Sequence, residues 1–398
     1  MAENYHLRCV NCQKEYEKDD VQYTCPDCGN RLGTLEVVYD FKEKKWIDEA
    51  HTGIWRFLPI LPVRETDIDE HLKIGDTPLY RSETLAGELG LSSLLIKDDG
   101  KNPTASFKDR ASAVAVAKAH ELGYSDIYAA STGNAASSLS GVCAGTGVKA
   151  HIFVPQNAPE AKVVQQLIYG AEVFSIQGNY DQAFDLSLKK GEEKGWYCRN
   201  SAVNPYLLEG KKTCALEMAW QTGLKLPDYI FVSVGDGTVY SSFIKGFSDL
   251  KQIGVIEKIP TVIGVQAAGC AAIKQAFDNG RPFKPDDIVN GDSEADSIAV
   301  GKPRDVIKAC QYAFETGGFF MTVSDQAIGQ AVIELARKTG VFAEPAGAAS
   351  YAGIKKAIQE RRIEKNKTAA IIITGNGLKD IKTPVKYLSE TPQKIHPD

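Results

Sequence analysis

Short apolar runs alternate with helix-like stretches from about residue 75 to the end of the chain. The runs are bounded by turns and lie at 94–96, 126–130, 150–154, 172–176, 229–234, 262–265 and 369–373. Continuous β-branched runs of this kind are typical of strands that are buried on both faces of a parallel sheet. Their alternation with helices predicts an α/β architecture, and a chain of 398 residues is long enough for two domains.

Composition and charge exclude several classes of function. Hydrophobic residues make up 43% of the chain and charged residues 24%, as in an ordinary soluble globular protein. The net charge of -5 gives no reason to expect a nucleic-acid or anionic-membrane partner. No apolar run approaches the roughly 20 residues that span a bilayer. Residues 1–6 lack a basic start followed by an apolar stretch, so we expect no signal peptide and a cytoplasmic location.

Four cysteines near the start of the chain have the spacing C-x2-C-x12-C-x2-C: Cys9, Cys12, Cys25 and Cys28. Two such pairs can supply four thiolates to one tetrahedral metal ion, which predicts a zinc-ribbon-like segment over residues 1–40. Zinc is the expected structural metal, although iron suits the same ligands. Two disulfides are an alternative that the absence of a secretory signal disfavours. The other cysteines are expected to be core thiols: Cys143, Cys198, Cys214, Cys270 and Cys310.

Cysteine ribbons can also bind nucleic acid or a partner protein. In residues 1–40, however, acidic side chains offset the few basic ones, so the segment lacks the basic footprint of nucleic-acid binders. A structural metal site, with all four ligand positions filled by the protein, is therefore the favoured interpretation of the ribbon.

Lys108 lies between a predicted strand at 94–97 and an alanine-rich predicted helix at 111–119. At a helix start, backbone N–H groups and the helix dipole disfavour the protonated form of a lysine. Such an amine suits a Schiff base with an aldehyde cofactor. A solvated surface lysine would fit the same local sequence, so the other motifs must decide between the two.

The turn after the predicted strand at 126–130 carries small residues at the start of a helix. Ligands of open α/β sheets bind beyond the carboxyl ends of the strands, where this turn lies. Ser131, Thr132 and Gly133 could cradle a carboxylate with their backbone N–H groups. Asn134 adds a side-chain amide that can donate to a phenolic oxygen. A simple N-capping turn is the alternative.

Two further turns complete the set. Gly235, Asp236, Gly237 and Thr238 follow the run at 229–234 and form a phosphate cradle at a helix start. This turn lacks the lysine-serine/threonine ending of a Walker loop. Thr374 follows the last apolar run, where its hydroxyl could face a heteroaromatic nitrogen or could cap the next turn.

Together these residues fit pyridoxal 5'-phosphate, which needs an aldehyde trap, a phosphate anchor and a group at the ring nitrogen. A hydroxyl at that nitrogen leaves the pyridine largely unprotonated. The cofactor would then favour eliminations and replacements over transamination.

Several longer blocks carry a family resemblance: 76–79 with 97–110, 200–205 with 209–213, 344–349 and 374–380. They resemble the threonine synthase family of fold type II pyridoxal-phosphate-dependent enzymes, and the resemblance covers nearly the whole chain. It implies two open, twisted, mostly parallel sheets with helices on both faces, in addition to the ribbon. We expect a large domain at 41–112 and 221–398 and a smaller inserted domain at 113–220. The resemblance also implies an active site in the cleft between the two domains of one chain, and a homodimer.

The resemblance implies a role for each candidate residue. Lys108 would form the Schiff base with the cofactor and shuttle protons, Asn134 would contact the ring hydroxyl oxygen, and Thr374 would face the pyridine nitrogen. Glu344 would lie near the cofactor or be a plain helix-start carboxylate. The cofactor phosphate would be held by Gly235, Asp236, Gly237 and Thr238, and the substrate carboxylate by Ser131, Thr132 and Gly133.

The implied reaction converts O-phosphohomoserine and water to L-threonine and phosphate. Relatives commonly carry an arginine where this chain has Leu207 and a glutamine where it has Lys211, and some carry a basic residue near Asp185. A phosphate prefers bidentate arginine contacts, so the alternative is β-elimination or β-replacement on a serine, threonine or phosphoserine-type substrate, as in a dehydratase or a cysteate synthase-like enzyme. Lys162, Lys211 or Lys212 could compensate as point charges or be ordinary surface lysines.

Overall fold

The computed structural model describes residues 4–158, 160–285, 292–390, 392–393 and 395. The strands are β1 (Tyr5–Cys9), β2 (Glu15–Tyr16), β3 (Leu35–Tyr39), β4 (Leu79–Arg81), β5 (Ser93–Asp98), β6 (Asp126–Ala130), β7 (Lys149–Pro155), β8 (Glu172–Ile176), β9 (Tyr197–Cys198), β10 (Tyr229–Ser233), β11 (Thr261–Ala267), β12 (Phe319–Val323) and β13 (Thr368–Ile373). The helices are α1 (Gly29–Leu32), α2 (Glu83–Leu89), α3 (Lys108–Glu121), α4 (Asn134–Cys143), α5 (Glu160–Ile168), α6 (Tyr180–Lys194), α7 (Tyr206–Gln221), α8 (Thr238–Gln252), α9 (Ala272–Asp278), α10 (Val306–Thr316), α11 (Asp325–Thr339), α12 (Pro345–Gln359) and α13 (Lys382–Val385).

These strands form three sheets. A six-stranded sheet has the order β12-β11-β10-β13-β5-β4 and is parallel except for the edge strand β4. A four-stranded sheet, in the order β8-β7-β6-β9, is parallel throughout. The N-terminal strands form a small antiparallel sheet in the order β2-β1-β3. The α/β prediction with mostly parallel sheets is therefore confirmed, whereas the domain limits stay predictions.

The six-stranded sheet is buried on both faces, which explains its continuous apolar runs. In β10, Ile230 and Val232 belong to one core cluster, and Phe231 between them belongs to another. In β13, Ile372 belongs to the first of these clusters and Ile371 to the second. Successive side chains of a strand point to opposite faces, so both faces need apolar cover. Helices α3, α7 and α8 contribute to the first cluster, and α11 and α12 to the second.

Local sequence signals fix several helix ends. Asn179 and Gln182 form a capping box at the start of α6, and Gly195 ends the helix in the left-handed conformation with a φ of 66°. Ser324 caps α11 by accepting from a backbone N–H, and Gly340 ends it in the same left-handed way. Among the described residues, no helix combines the length and the apolar character that a bilayer crossing requires.

Helix α7 is buried along most of its length, although the sequence places several charges in it. Glu217 accepts hydrogen bonds from Arg110 and pairs with Lys97, and all three side chains are fully buried. Lys212 pairs with Asp249 at 2.6 Å and is also fully buried. The surface interpretation of Lys212 is wrong, because its charge is compensated inside the protein.

Candidate active site

The residues selected from the sequence line one cavity of about 500 Å³ beside strands of both parallel sheets. The turns after β6, β10 and β13 each contribute to its wall, because the carboxyl ends of these strands converge there. The cavity is lined by Lys108, Ser131, Thr132, Gly133, Asn134, Gly235, Asp236, Gly237, Thr238, Glu344 and Thr374. The structure therefore brings together all of the candidate cofactor and substrate residues.

Lys108 is the first residue of α3, and it lines the cavity. The turn before it is tied to the end of β13, because the backbone N–H of Phe107 donates to the carbonyl oxygen of Thr374 at 2.9 Å. Burial lowers the pKa of Lys108, and Arg199 acts in the same direction, although the nearby carboxylate of Glu344 opposes both. The amine therefore loses its proton more readily than that of an exposed lysine, which suits Schiff-base chemistry.

The turn between β10 and α8 has the geometry of an anion cradle. Gly237 has a φ of 98°, and a Cβ there would lie 3.1 Å from the carbonyl oxygen of Asp305. No side chain caps α8, so its first backbone N–H groups are left for an anion. The hydroxyl of Ser233 is buried at the end of β10 without a hydrogen-bond partner among the described residues. These features fit the phosphate of pyridoxal phosphate.

Lys211 lies next to this cradle. Its Nζ donates to Oγ1 of Thr238 at 2.7 Å, and its side chain is fully buried. Burial lowers its pKa well below the ordinary value, and the positive charges of Lys108 and Arg199 lower it further. The surface interpretation of Lys211 is therefore wrong. The position instead suits a cation that would be stabilised by a bound phosphate.

Asn134, Glu344 and Thr374 form a buried group on the cavity wall. The amide of Asn134 donates to both carboxylate oxygens of Glu344, and Oγ1 of Thr374 donates to one of them at 3.4 Å. Burial raises the pKa of Glu344, whereas the hydrogen bond from Asn134 lowers it. Thr374 does not cap the following turn, because Asn376 does so by accepting from the backbone N–H of Leu378 at 3.0 Å.

The turn after β6 also leaves a helix start uncapped. Oγ of Ser131 accepts from the backbone N–H of Gly133 at 3.2 Å, within the turn itself. Gly133 is the N-cap of α4, and no side chain caps that helix. The N-capping interpretation is therefore wrong. The first N–H groups of α4 lie beside the cavity, where they could bind a carboxylate.

Among the polar cavity residues that the sequence analysis did not select are Tyr180, Arg199 and Arg304. Arg199 directly follows β9 and is fully buried. The guanidinium of Arg304 lies 3.8 Å from the ring centroid of Phe184. The available signal for Arg199 was its place directly before Asn200, where a block of family resemblance begins. It was overlooked because β9 is only two residues long and no strand was predicted there.

The positions at which the chain departs from the family pattern lie outside the cavity wall. Leu207 is buried in α7 and lines a separate small cleft, and Asp185 is exposed on α6. Lys162 pairs with Asp296, which lines the cavity. Leu207 and Asp185 therefore do not line the cavity in which a substrate would bind.

The four N-terminal cysteines cluster as their spacing predicts. The Sγ atoms of Cys9, Cys12, Cys25 and Cys28 all lie within 4.8 Å of one another. Sγ of Cys12 and Sγ of Cys25 are 3.7 Å apart, close to the roughly 3.8 Å edge of a tetrahedron built with Zn–S bonds of about 2.3 Å. All nine cysteines are free thiols, so the disulfide alternative is wrong. The other five are buried, as expected.

Two parallel sheets whose strand ends surround a half-buried lysine, an uncapped helix start and a buried amide define a cofactor-dependent α/β enzyme. The chain belongs to the family of pyridoxal-phosphate dependent enzymes, whose pattern matches residues 71–375. The chain is similar to the threonine synthase of Methanocaldococcus jannaschii, with 38% identity over 98% of this chain and 96% of that protein. The threonine synthase of Methanosarcina acetivorans is 37% identical over 97% of this chain and 95% of its own length.

Solved structures with low sequence identity share the fold. The processed form of threonine deaminase isoform 2 from Solanum lycopersicum has a TM-score of 0.69 and 22% identity, covering 87% of this chain and 97% of its own. A pyridoxal 5'-phosphate-dependent aspartate racemase also has a TM-score of 0.69, with 23% identity. The match covers 82% of this chain and 99% of the racemase chain. These two likenesses establish the fold and carry no argument about the substrate.

Proposed function

We propose that the chain is a pyridoxal-phosphate-dependent lyase that converts O-phosphohomoserine and water to L-threonine and phosphate. The observation that carries this proposal is the match to threonine synthases over nearly the full length of both chains. The cavity supports it, because Lys108 and the anion cradle before α8 open onto the same space.

The residues present would divide the tasks of the reaction. When bound, pyridoxal phosphate supplies an aldehyde for a lysine amine and an electron sink that makes hydrogens on neighbouring substrate carbons acidic. Nζ of Lys108 would hold the aldehyde. Once displaced by the substrate amine, it would take protons from Cα and Cβ while phosphate leaves Cγ, and it would return one proton to Cγ. Water would then supply the hydroxyl at Cβ, and Lys108 would return the second proton to Cα. The lowered pKa of Lys108 favours the neutral amine that proton abstraction requires. The backbone at 131–133 would bind the substrate carboxylate.

Three side chains would position the cofactor ring. Asn134 would contact the ring hydroxyl oxygen, and Thr374 would face the pyridine nitrogen. Glu344 would hold both of them, because it accepts a hydrogen bond from each. The single hydroxyl proton of Thr374 would turn from Glu344 to the pyridine nitrogen when the cofactor binds. Because this donor is neutral, the nitrogen would stay largely unprotonated, which suits elimination chemistry.

A β-elimination or β-replacement on a serine, threonine or phosphoserine-type substrate is the second candidate function. Leu207 is the observation that favours it, because an arginine at that position would be a natural ligand for a substrate phosphate. Neither residue lines the cavity, and Asp185 carries less weight because it is exposed on α6, whereas Leu207 is buried in α7.

The test is phosphate release from O-phosphohomoserine by the purified holoenzyme, with the amino-acid product identified by chromatography. Equal amounts of phosphate and threonine would support the proposed reaction. Release of a 2-oxoacid from serine or threonine, without phosphate release from O-phosphohomoserine, would replace it with the second candidate function.

We also propose that Cys9, Cys12, Cys25 and Cys28 hold one structural zinc ion. The clustering of their four Sγ atoms supports this, because four thiolates complete a tetrahedral shell and leave no open position for catalysis. The homodimer and the cytoplasmic location stay predictions.

A further inference from the structure

Two arginines of this chain are fully buried in the same region, and their surroundings differ. Arg110 forms ion pairs with two carboxylates. Its Nε lies 2.6 Å from Oδ2 of Asp99, and its Nη1 lies 3.0 Å from Oε2 of Glu217. Arg199 forms no ion pair with any described residue. Arg110 is therefore paired within the protein, whereas Arg199 has no paired carboxylate among the described residues.

The contacts of Arg199 hold it against α3 beside the cavity. Its Nε and Nη2 each lie 3.2 Å from Oγ of Ser112, one turn after Lys108 on the same helix. Its backbone N–H donates to the carbonyl oxygen of Tyr128 at 2.8 Å, which fixes the chain beside β6. In the described part of the chain, Nη1 has no hydrogen-bond partner. The side chain is thus fixed at one end and open to a ligand at the other.

A buried guanidinium without a carboxylate is costly to desolvate. Burial lowers the pKa of Arg199 to about 10, even though Asp109 raises it. Asp109 is not a direct partner, because no ion pair or hydrogen bond joins it to Arg199; its carboxylate instead accepts from the backbone N–H and the hydroxyl of Thr104. An anion entering the cavity would remove this cost, which distinguishes Arg199 from an arginine that serves structure alone.

The cavity offers separate places for the cofactor phosphate and for the substrate carboxylate, the other two anionic groups of the proposed complex. The cradle before α8, with Lys211 beside it, fits the cofactor phosphate, and the uncapped start of α4 fits a carboxylate. Leu207, the position at which relatives carry an arginine, does not line the cavity. We propose that Arg199 binds the phosphate of the substrate, and so replaces the arginine that is missing at position 207. This inference rests on the proposed function, because it assumes a phosphorylated substrate.

The experiment is a binding titration that needs no turnover. DL-2-Amino-5-phosphonopentanoate has the carbon chain of O-phosphohomoserine with a methylene in place of the bridging oxygen, and norvaline has the same chain without the phosphonate. Each is titrated into the holoenzyme while the cofactor absorption is followed. The variants are Arg199→Gln, Arg199→Lys, Arg304→Gln and Lys302→Gln, because Arg304 and Lys302 are further cations of the cavity wall. We expect Lys302→Gln to behave like Arg304→Gln.

In the unmodified enzyme we expect the phosphonate to bind much more tightly than norvaline. Arg199→Gln should weaken phosphonate binding by roughly 30-fold or more and norvaline binding by less than about threefold, because only the charged contact is lost. Arg199→Lys should recover part of the loss, since an ammonium keeps the charge without the bidentate geometry. Arg304→Gln should weaken phosphonate binding less than Arg199→Gln.

Two results would overturn the assignment of Arg199 and leave the proposed function intact. One is equal weakening of both ligands by Arg199→Gln, which would indicate a structural role. The other is a phosphonate-selective loss in Arg304→Gln and not in Arg199→Gln. Failure of the proposed function has a different signature, namely an unmodified enzyme that releases no phosphate from O-phosphohomoserine and binds the phosphonate no better than norvaline.

Discussion

The side-chain amide of Asn134 donates to both carboxylate oxygens of Glu344, at 3.1 and 2.8 Å. Asn134 begins α4, which follows strand β6 of the four-stranded sheet, whereas Glu344 precedes α12, which packs on the six-stranded sheet. The carboxylate also accepts from Oγ1 of Thr374 at 3.4 Å. One side chain therefore links the two residues proposed to contact the edges of the cofactor ring, and it does so across the cavity between the sheets.

Glu344→Ala tests this link. We expect a loss in kcat of roughly 10- to 100-fold and a shifted absorption maximum of the bound cofactor, because Asn134 would lose its charged acceptor. Glu344→Gln keeps one acceptor oxygen and should lose less. Steady-state kinetics and the absorption spectrum provide the measurements. An alanine variant with unchanged kcat and spectrum would return Glu344 to the role of a plain helix-start carboxylate.

Lys108→Ala should abolish turnover and the Schiff-base absorption band, because no other amine would hold the aldehyde at this position. Lys101→Ala is a matched control, since Lys101 is an exposed lysine just upstream of the same helix. The control should keep both properties. A normal absorption band in the Lys108 variant would move the Schiff base to another amine, with Lys211 as the first candidate.

The turns of the site could be predicted from the sequence because they follow strong local signals. Each apolar run that was predicted to be a strand overlaps one, and parallel strands present their carboxyl ends to the same side. Gly237 and Thr238 could therefore be expected near Asn134 without any knowledge of their distance. Weak elements were missed: β4 and β9 are short, and the edge strand β12 was not predicted.

The partners of buried charges could not be predicted in the same way. Lys212 and Asp249 are 37 residues apart and Lys97 and Glu217 are 120 apart, and no periodicity within either segment records their contact. Charged residues in a helix suggest a solvated face, so α7 was not recognised as buried. Arg199 was missed for a related reason, because its lack of a carboxylate partner is a property of the folded surroundings alone.

Cys9→Ser with Cys12→Ser should release the bound metal and lower the melting temperature while leaving kcat largely unchanged. Removing two of four thiolates opens the tetrahedral shell, and the cluster lies outside the cavity wall. Metal content by mass spectrometry and thermal unfolding provide the readouts. Cys310→Ser, at a buried thiol far from the cluster in the sequence, should leave metal content unchanged. Unchanged metal in the double variant would contradict the four-thiolate site.

Lys211→Met should weaken the binding of pyridoxal phosphate to the apoenzyme by roughly tenfold or more, because the cradle would lose the amine beside Thr238 that a bound phosphate would hold in its charged form. Lys211→Gln keeps a hydrogen-bond donor of similar length and isolates the contribution of the charge. Equilibrium titration of the apoenzyme with pyridoxal phosphate measures both. Equal affinities for the three proteins would mean that Lys211 contributes to packing and leaves the phosphate to the backbone.

Glu217 should control the acid side of the stability curve. Although burial pushes its pKa up, Arg110 and Lys97 hold the pKa well below the usual range. A proton therefore binds the folded state more weakly than the unfolded state, where the pKa is about 4.3. The stabilisation by ionised Glu217 is complete above that value and is lost as the pH falls below it towards the lowered pKa.

Glu217→Gln should consequently cost about 3–5 kcal/mol of unfolding free energy at pH 7, because it leaves two buried cations undercompensated. The cost should shrink as the pH approaches 3, since protonation of Glu217 in the unfolded state then removes part of the stabilisation that the ionised carboxylate provides. Denaturant unfolding between pH 3 and 7 measures this. The control Glu334→Gln removes a more exposed carboxylate that pairs with Lys338 and Lys355, and should cost less than about 1 kcal/mol. A cost for Glu217→Gln that does not vary with pH would mean that shape and packing, and not the carboxylate charge, account for its effect.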